Sequence, residues 1–446
     1  MEVPDRLVVG RSTGDDGPMT DALVLDDLQA RGLVQDCTDP DGLRARLDEG
    51  PITVYFGCDP TADSLHVGNL IGLLVLRRFQ DAGHRPVALA GGATGMIGDP
   101  SGRSEERNLL DAETLAGNVA AIKAQISRIV ELDDDGSGGM LVDNLDWTAG
   151  VSLLDFLRDV GKYVTVNTML ARESVKNRLA SEHGISYTEF SYMLLQAHDY
   201  LRLEEAHGVQ LQIGGSDQWG NMLGGVDLVR RVNGRQTWAL CWPLLTAPDG
   251  TKLGKTTGAR IWLDADRTSP YQFFQHWMAT DDRQVRQFLA QFTLLPIPEI
   301  DEAAAAHADD PGRREAQRLL AREATALVHG EAEAEAAEAA SGILFGAPLQ
   351  DASVAALGAV AREVPVAEVD RTDLDGGITL VDLLADDGLL TASKGEARRA
   401  ITQGGVYLNG ERVTEDRKLA TSDLLHGRWA LLRKGKKAYA MVDVGP

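Results

Sequence analysis

Hydrophobic runs punctuated by glycine and proline organise the first half of the chain. Ile52-Thr53-Val54-Tyr55-Phe56 is a short apolar run held between Pro51 and Gly57, which predicts a buried strand. An apolar helix follows from Leu70 to Phe79. Pro86-Val87-Ala88-Leu89-Ala90 predicts a second buried strand, leading into Gly91-Gly92-Ala93-Thr94-Gly95. Val209-Gln210-Leu211-Gln212-Ile213 predicts another, leading into Gly214-Gly215-Ser216-Asp217-Gln218-Trp219. Strand, glycine turn and helix in succession imply parallel βαβ units and a Rossmann-like, doubly wound parallel sheet in an α/β fold. Such sheets bind ligands at the C-terminal ends of their strands, where these glycine-rich turns fall.

Beyond these units the pattern changes. Ser152 to Thr168 and Glu189 to Leu203 read as helices, and Pro270 to His329 is amphipathic throughout, predicting an all-α module. The low-complexity run from Gly330 to Ala340 reads as a solvated Ala/Glu helix face. Residues 346–377 are acidic, poor in aromatics and punctuated by glycine, so a linker is expected there. Residues 378–446 alternate short strands, glycine turns and a basic helix, predicting a small α+β domain. Residues 1–18 are rich in Gly and Asp without periodicity and are expected to be a disordered extension; a helical pattern (Leu23, Leu25, Leu28) begins after Met19. The division is therefore 1–18, 19–245, 246–345, 346–377 and 378–446, and 446 residues suit about three folded domains.

Composition narrows the class. There is no long apolar run to cross a membrane and no basic, then apolar, secretory leader, and Cys37, Cys58 and Cys241 are too far apart for a disulfide framework or zinc site. These features suit a soluble, reduced, cytoplasmic protein. The net charge of −23 disfavours general nucleic-acid binding, but it is uneven. Residues 378–446 carry 11 Lys+Arg against 9 Asp+Glu, leaving 33 against 58 elsewhere. A polyanion would be tolerated only at the C-terminal end.

Five motifs carry candidate chemistry. In Cys58-Asp59-Pro60-Thr61-Ala62-Asp63-Ser64-Leu65-His66-Val67-Gly68-Asn69, a helix N-terminus, two donors and a glycine suit a nucleotide phosphate; an ordinary βα turn fits this segment alone better. In Gly250-Thr251-Lys252-Leu253-Gly254-Lys255-Thr256, two lysines and a threonine could clamp a leaving pyrophosphate; by itself the loop also reads as a basic surface turn, and it lacks Walker A spacing. Asp99 sits in a tight turn placed to take an ammonium group, with Arg103 and Arg107 four residues apart behind it; a turn aspartate with a solvated basic face fits equally. Tyr192, Gln196 and Asp199 form one polar stripe on an apolar helix, which calls for a polar ligand or for partners in the core. Asp217, beside Gly215 and Gln218, suits ribose hydroxyls or a helix cap.

In this order and spacing, these residues resemble the bacterial tyrosyl-tRNA synthetases, class I aminoacyl-tRNA synthetases, from about Asp21 to Val442. The likeness includes GGATGMIGDPSGR, FLRDVGKYVTVN, TEFSYMLLQ, LQIGGSDQWGN, DGTKLGKT and TSPYQFFQ. The resemblance implies a catalytic domain at 19–245, a mobile "KMSKS"-type loop and tRNA-contacting helices at 246–345, and an S4-like RNA-binding domain at 378–446. It implies that Thr61, His66, Lys252, Lys255 and Thr256 act on the transferred phosphates. Asp99, Tyr192 and Gln196 would hold the ammonium of tyrosine, Tyr55 and Asp199 its phenol, and Gln218 would lie near its carboxylate. Gly57, Asp59, Gly68, Asn69, Arg103, Arg107, Gly215, Asp217 and Lys255 would bind ATP. Lys394, Arg398, Arg399, Arg433, Lys434, Lys436 and Lys437 would face tRNA. ATP with Mg²⁺, L-tyrosine and tRNA(Tyr) are the implied substrates, with no resident metal or organic cofactor, and a homodimer is the implied assembly. Four positions depart from the family's commoner pattern: Phe56 and Gly72 near the nucleotide, Cys58 where an aromatic is frequent, and Asn69 for a second histidine. A tryptophan-specific enzyme of the same fold and a non-catalytic RNA-binding paralogue are the alternatives.

Overall fold

A computed structural model describes residues 23–101, 110–133, 138–181, 184–246 and 260–445. Two compact units emerge: one runs to Thr268 and adds Ala279–Leu320, the other comprises Ser269–Met278 and Ala321–Pro446.

The first unit is built on a six-stranded sheet: β1 (Asp36–Cys37), β2 (Thr53–Cys58), β3 (Arg85–Ala90), β4 (Met140–Asp143), β5 (Val209–Gly215) and β6 (Trp238–Trp242), in the order β1-β6-β5-β2-β3-β4. From β2 to β6 all pairings are parallel; β1 pairs antiparallel with β6, so the sheet is mixed at one edge. β2 and β3 bury nearly every side chain, as strands covered on both faces must, which explains their continuous apolar runs. From β2 the chain winds outward through β3 to β4, then returns to place β5 on the other side of β2. The direction of winding reverses between β2 and β5, and their C-terminal ends frame the ligand crevice of a doubly wound sheet.

Four helices position the crevice. In α1 (Val67–Asp81) every residue from Leu70 to Leu76 is buried. In α2 (Ala112–Ile129) the Asp111 carboxylate caps the N-terminus. α3 (Tyr187–His207) is capped by the Ser186 hydroxyl and ended by Gly208 at φ 65°. α4 (Trp219–Asn233) follows β5 after a 3₁₀ turn at Ser216–Gln218. The predicted helix over 152–168 is broken into Leu153–Asp159, a 3₁₀ turn at Gly161–Tyr163 and Val166–Leu170. The break lies at Gly161 and extended Val164, and Thr165 then caps the next helix, its hydroxyl accepting from the Thr168 amide.

The second unit carries β7 (Val366–Glu368), β8 (Val406–Leu408), β9 (Glu411–Val413), β10 (Trp429–Lys434) and β11 (Ala438–Asp443), ordered β7-β11-β10-β8-β9. One sheet face packs Val406, Leu408 and Leu432 against helices Leu380–Ala385 and Lys394–Thr402. Trp429, Leu431 and Met441 on the other face pack against helices Glu331–Leu344 and Val354–Glu363.

The linker expected at 346–377 is corrected by this packing. It holds helix Val354–Glu363, strand β7 paired with β11, and helix Arg371–Gly376. Alanines 356 and 359 with Leu357 and Val360 are buried there, and small side chains give low hydropathy even when they line a core. The Ala/Glu run behaves similarly: Ala334, Ala336, Ala337 and Ala340 are buried, so that helix is solvated on its glutamate side only.

Candidate active site

The C-terminal end of β2 delivers Asp59 into the crevice. Its carboxylate accepts from the Thr94 hydroxyl at 2.8 Å and the Tyr192 hydroxyl at 2.9 Å. The glycine turn after β3 permits this approach, since a Cβ on Gly91 would lie 2.3 Å from Asp59 Oδ1. Further along the same turn Asp99 is buried, accepting from the Ser101 amide (2.9 Å) and from Gln218 Nε2 (2.6 Å). Gln218 comes from the turn after β5, and Asn221 donates to its Oε1 at 3.3 Å. The structure thus joins Asp59 with Tyr192, and Asp99 with Gln218, from motifs far apart in sequence.

The stripe on α3 faces this cluster. Asp199 is buried and accepts from Asn144 Nδ2 (3.0 Å) and Trp147 Nε1 (2.9 Å). Burial pushes its carboxyl up to about 7, against the pull of those two donors. Tyr55, on β2, stacks edge-on against Tyr200 with ring centroids 5.3 Å apart. Burial, then the charges of Asp199 and Tyr200, hold its phenol well above the usual range. Tyr192 is raised likewise, by burial and then by Asp59 and Asp99. Both phenols therefore stay protonated and able to donate.

Among the described residues, buried polar atoms here without a protein partner include the Tyr55 hydroxyl and Gln196 Oε1. Buried polar atoms are almost always satisfied, so unpaired ones beside a buried carboxylate mark where a ligand's polar groups belong. Asp59, Asp99 and Asp199 make the crevice acidic, which favours a cationic group.

On the nucleotide side, His66 occupies the cap position of α1, and its backbone N–H donates to Asn69 Oδ1 at 3.1 Å. Gly68 lets the His66 ring lie over the first turn: a Cβ there would approach His66 Cε1 to 2.8 Å. Thr61, Gly57 and Gly68 are exposed at the rim. Residues 261–263 are stitched antiparallel to this segment, through Val67 N–H to Ile261 O (3.1 Å) and Leu263 N–H to Leu65 O (2.8 Å). Lys252, Lys255 and Thr256, with Arg103 and Arg107, lie outside the described residues. Asp217 follows β5 in the 3₁₀ turn with Gln218, and Gly215 approaches its carboxylate closely.

The four unusual positions form two pairs. A Cβ on Gly72 would lie 2.1 Å from Phe56 Cζ, so the missing side chain on α1 makes room for the large ring on β2, which also meets Trp242. Asn69 Nδ2 points to the buried Cys58 sulfur at 3.9 Å, and burial raises that thiol.

Sequence reasoning missed Thr94, Asn144 and Trp147. Asn144 ties Ala93 N–H, the Thr94 hydroxyl and Asp199 together, from the end of the unrecognised strand β4. In the second unit, Lys394 pairs with Asp382 and Lys434 with Glu396, whereas Arg398, Arg399, Lys436 and Lys437 are exposed.

Comparison with known proteins agrees with this geometry. The family "tRNA synthetases class I (W and Y)" matches residues 47–346, and "Tyrosine--tRNA ligase SYY-like C-terminal domain" matches 357–442. The chain is 52 % identical over 423 residues to the tyrosine–tRNA ligase of Opitutus terrae, covering 94 % of this chain and 99 % of that protein. It is 51 % identical over 424 residues to that of Mycobacterium tuberculosis, with coverage of 94 % and 99 %. Among solved structures, a C-terminally truncated mitochondrial tyrosyl-tRNA synthetase of Aspergillus nidulans superposes with a TM-score of 0.66 at 34 % identity, covering 72 % of this chain and 94 % of that one. With family models spanning both units and half of its residues shared with these relatives along nearly its whole length, the chain belongs to the tyrosine–tRNA ligases, class I aminoacyl-tRNA synthetases.

Proposed function

We propose that the crevice between β2 and β5 activates L-tyrosine with ATP and then passes the tyrosyl group to the 3′-terminal adenosine of tRNA(Tyr), with the following division of labour. Tyr55 and Asp199 take the substrate phenol, Asp99, Tyr192 and Gln196 its ammonium, and Gln218 lies by its carboxylate. Thr61, His66, Lys252, Lys255 and Thr256 stabilise charge on the α-phosphorus and the leaving pyrophosphate. Gly57, Asp59, Gly68, Asn69, Arg103, Arg107, Gly215 and Asp217 seat the nucleotide, and Mg²⁺ arrives with it.

The observation that carries this reading is the unpaired Tyr55 hydroxyl beside the doubly donated Asp199 carboxylate. A bound phenol supplies the missing partner to one and a further donor to the other; an indole has no hydroxyl to do so. The substrate carboxylate is itself the nucleophile, so no general base is needed. The chain's contribution is orientation and preorganised charge. Asp199→Ala tests the assignment: the ratio of kcat/KM for tyrosine over phenylalanine in ATP–pyrophosphate exchange should collapse. An unchanged ratio would remove Asp199 from the phenol site.

The remaining expectations follow as proposals. Residues 19–245 carry the chemistry, 246–345 the "KMSKS"-type loop and tRNA-contacting helices, and 378–446, with Arg398, Arg399, Arg433, Lys436 and Lys437 in the lead, the RNA contact. A homodimer suits the apolar surface around Leu153 (68 % exposed), Leu154 (76 %), Val166 (59 %) and Tyr187 (72 %). Leu154→Glu should then halve the mass seen by light scattering. Free cysteines and the translational role suit the cytoplasm.

A further inference from the structure

Four side chains in the second unit form an alternating row. Arg412 on β9 is directly opposite Tyr407 on β8, Tyr407 opposite Arg433 on β10, and Arg433 opposite Tyr439 on β11. Directly paired residues project from the same sheet face. This is the face that Trp429, Leu431 and Met441 cover with helices further along; the Arg/Tyr row is left half-exposed to exposed. Arg433 lies 3.9 Å from the Tyr407 ring centroid and 6.0 Å from that of Tyr439. Arg412 lies 5.7 Å from the Tyr407 centroid and donates to its hydroxyl at 3.2 Å.

The charges of this row are not neutralised. Four other cations of the same unit have carboxylate partners: Lys394 with Asp382, Lys434 with Glu396, Arg417 with Asp423, Arg428 with Asp443. Among the described residues Arg433 has no hydrogen bond or ion pair, and Arg412 has only the Tyr407 hydroxyl. In a chain of net charge −23 such guanidiniums would readily find carboxylates. Instead, Arg433 lies over the Tyr407 ring and Arg412 is held by the Tyr407 hydroxyl, which restrains both guanidiniums and leaves N–H groups of each without a partner among the described residues, an arrangement able to grip phosphate at little entropic cost.

We propose that the Arg412–Tyr407–Arg433–Tyr439 row is a preformed phosphate clamp for the tRNA backbone, in which Tyr407 is a positioning residue that orients both guanidiniums. Two strand spacings separate the arginines, about 10 Å, so they address two different phosphates. The proposal rests on the reading that this protein charges tRNA, and adds Arg412, Tyr407 and Tyr439 to the residues that reading assigns.

The test uses the full-length protein and a transcript of the tRNA that the wild type charges with tyrosine. If the wild type charges none, the functional reading fails, a result separate from those that follow. Dissociation constants are measured across a KCl series. Tyr407→Ala removes no charge, yet should weaken binding about tenfold and make log K less steep against log [KCl] by about one to two units, one per phosphate lost. Tyr407→Phe, which keeps the ring, should bind within about twofold of wild type. Should Tyr407→Ala not fold, judged by thermal unfolding, Arg412→Lys with Arg433→Lys keeps the charge without the planar fork and should also lose about tenfold. Unchanged affinity in either variant overturns the proposal. So does affinity lost at an unchanged salt slope, which would mean that Tyr407 stacks on a base.

Discussion

Tyr55→Phe separates a hydroxyl kept for substrate from one kept for the fold. That hydroxyl is buried with no partner among the described residues, while its ring packs edge-on against Tyr200. An unsatisfied buried polar group costs about 1–3 kcal/mol, and phenylalanine keeps the ring contact. The variant should therefore be more stable without ligand, by about 1 kcal/mol in urea unfolding. With tyrosine bound, Tyr55 gains a hydrogen bond; with phenylalanine bound it stays unpaired. One neutral hydrogen bond is worth about 0.5–1.5 kcal/mol, so the preference for tyrosine over phenylalanine should fall about two- to tenfold. The assay is kcat/KM for pyrophosphate exchange with each amino acid. A variant that is less stable, with its tyrosine preference intact, would refute the reasoning: the hydroxyl would then serve the fold.

Other predictions concern its neighbours. The Asp199 carboxyl sits at about 7 when folded, above its ordinary 3.8, because of burial. The stabilisation from its protonated form is thus complete below about 4 and is lost as pH rises through about 7, at up to about 1.4 kcal/mol per pH unit. Asp199→Asn should accordingly stabilise the ligand-free protein more at pH 8 than at pH 5 in urea unfolding; an equal effect at both would contradict the shifted carboxyl. Gly72→Ala would usually help a helix interior by about 1 kcal/mol, but here the new Cβ meets the Phe56 ring. It should destabilise by about 1–2 kcal/mol, and Phe56→Ala in the same chain should reverse the sign of the Gly72 effect.

Much of the central architecture was legible because β2 and β3 are covered on both faces and so read as near-continuous apolar runs, while Val209, Leu211 and Ile213 mark β5 just before its glycine turn. The polar stripe of α3 was equally plain, since Tyr192, Gln196 and Asp199 interrupt an apolar helix at helical spacing. β4 escaped notice because its four residues are only half-buried and carry no strong strand signal. With it went Asn144 and Trp147, whose bonds to Asp199 span more than 50 residues and leave no trace in local periodicity. The buried helix Val354–Glu363 was mistaken for linker because its core face is largely alanine. The exchange of bulk between Phe56 and Gly72 was visible only as two separate oddities until the strand and helix were placed together.

The most direct measurement is ATP–pyrophosphate exchange driven by a single amino acid, with tyrosine, phenylalanine and tryptophan compared at equal concentration. Exchange should be robust with tyrosine and slight with the other two, because only a phenol satisfies both Tyr55 and Asp199. Exchange as fast with phenylalanine or tryptophan, or none with tyrosine, would contradict it.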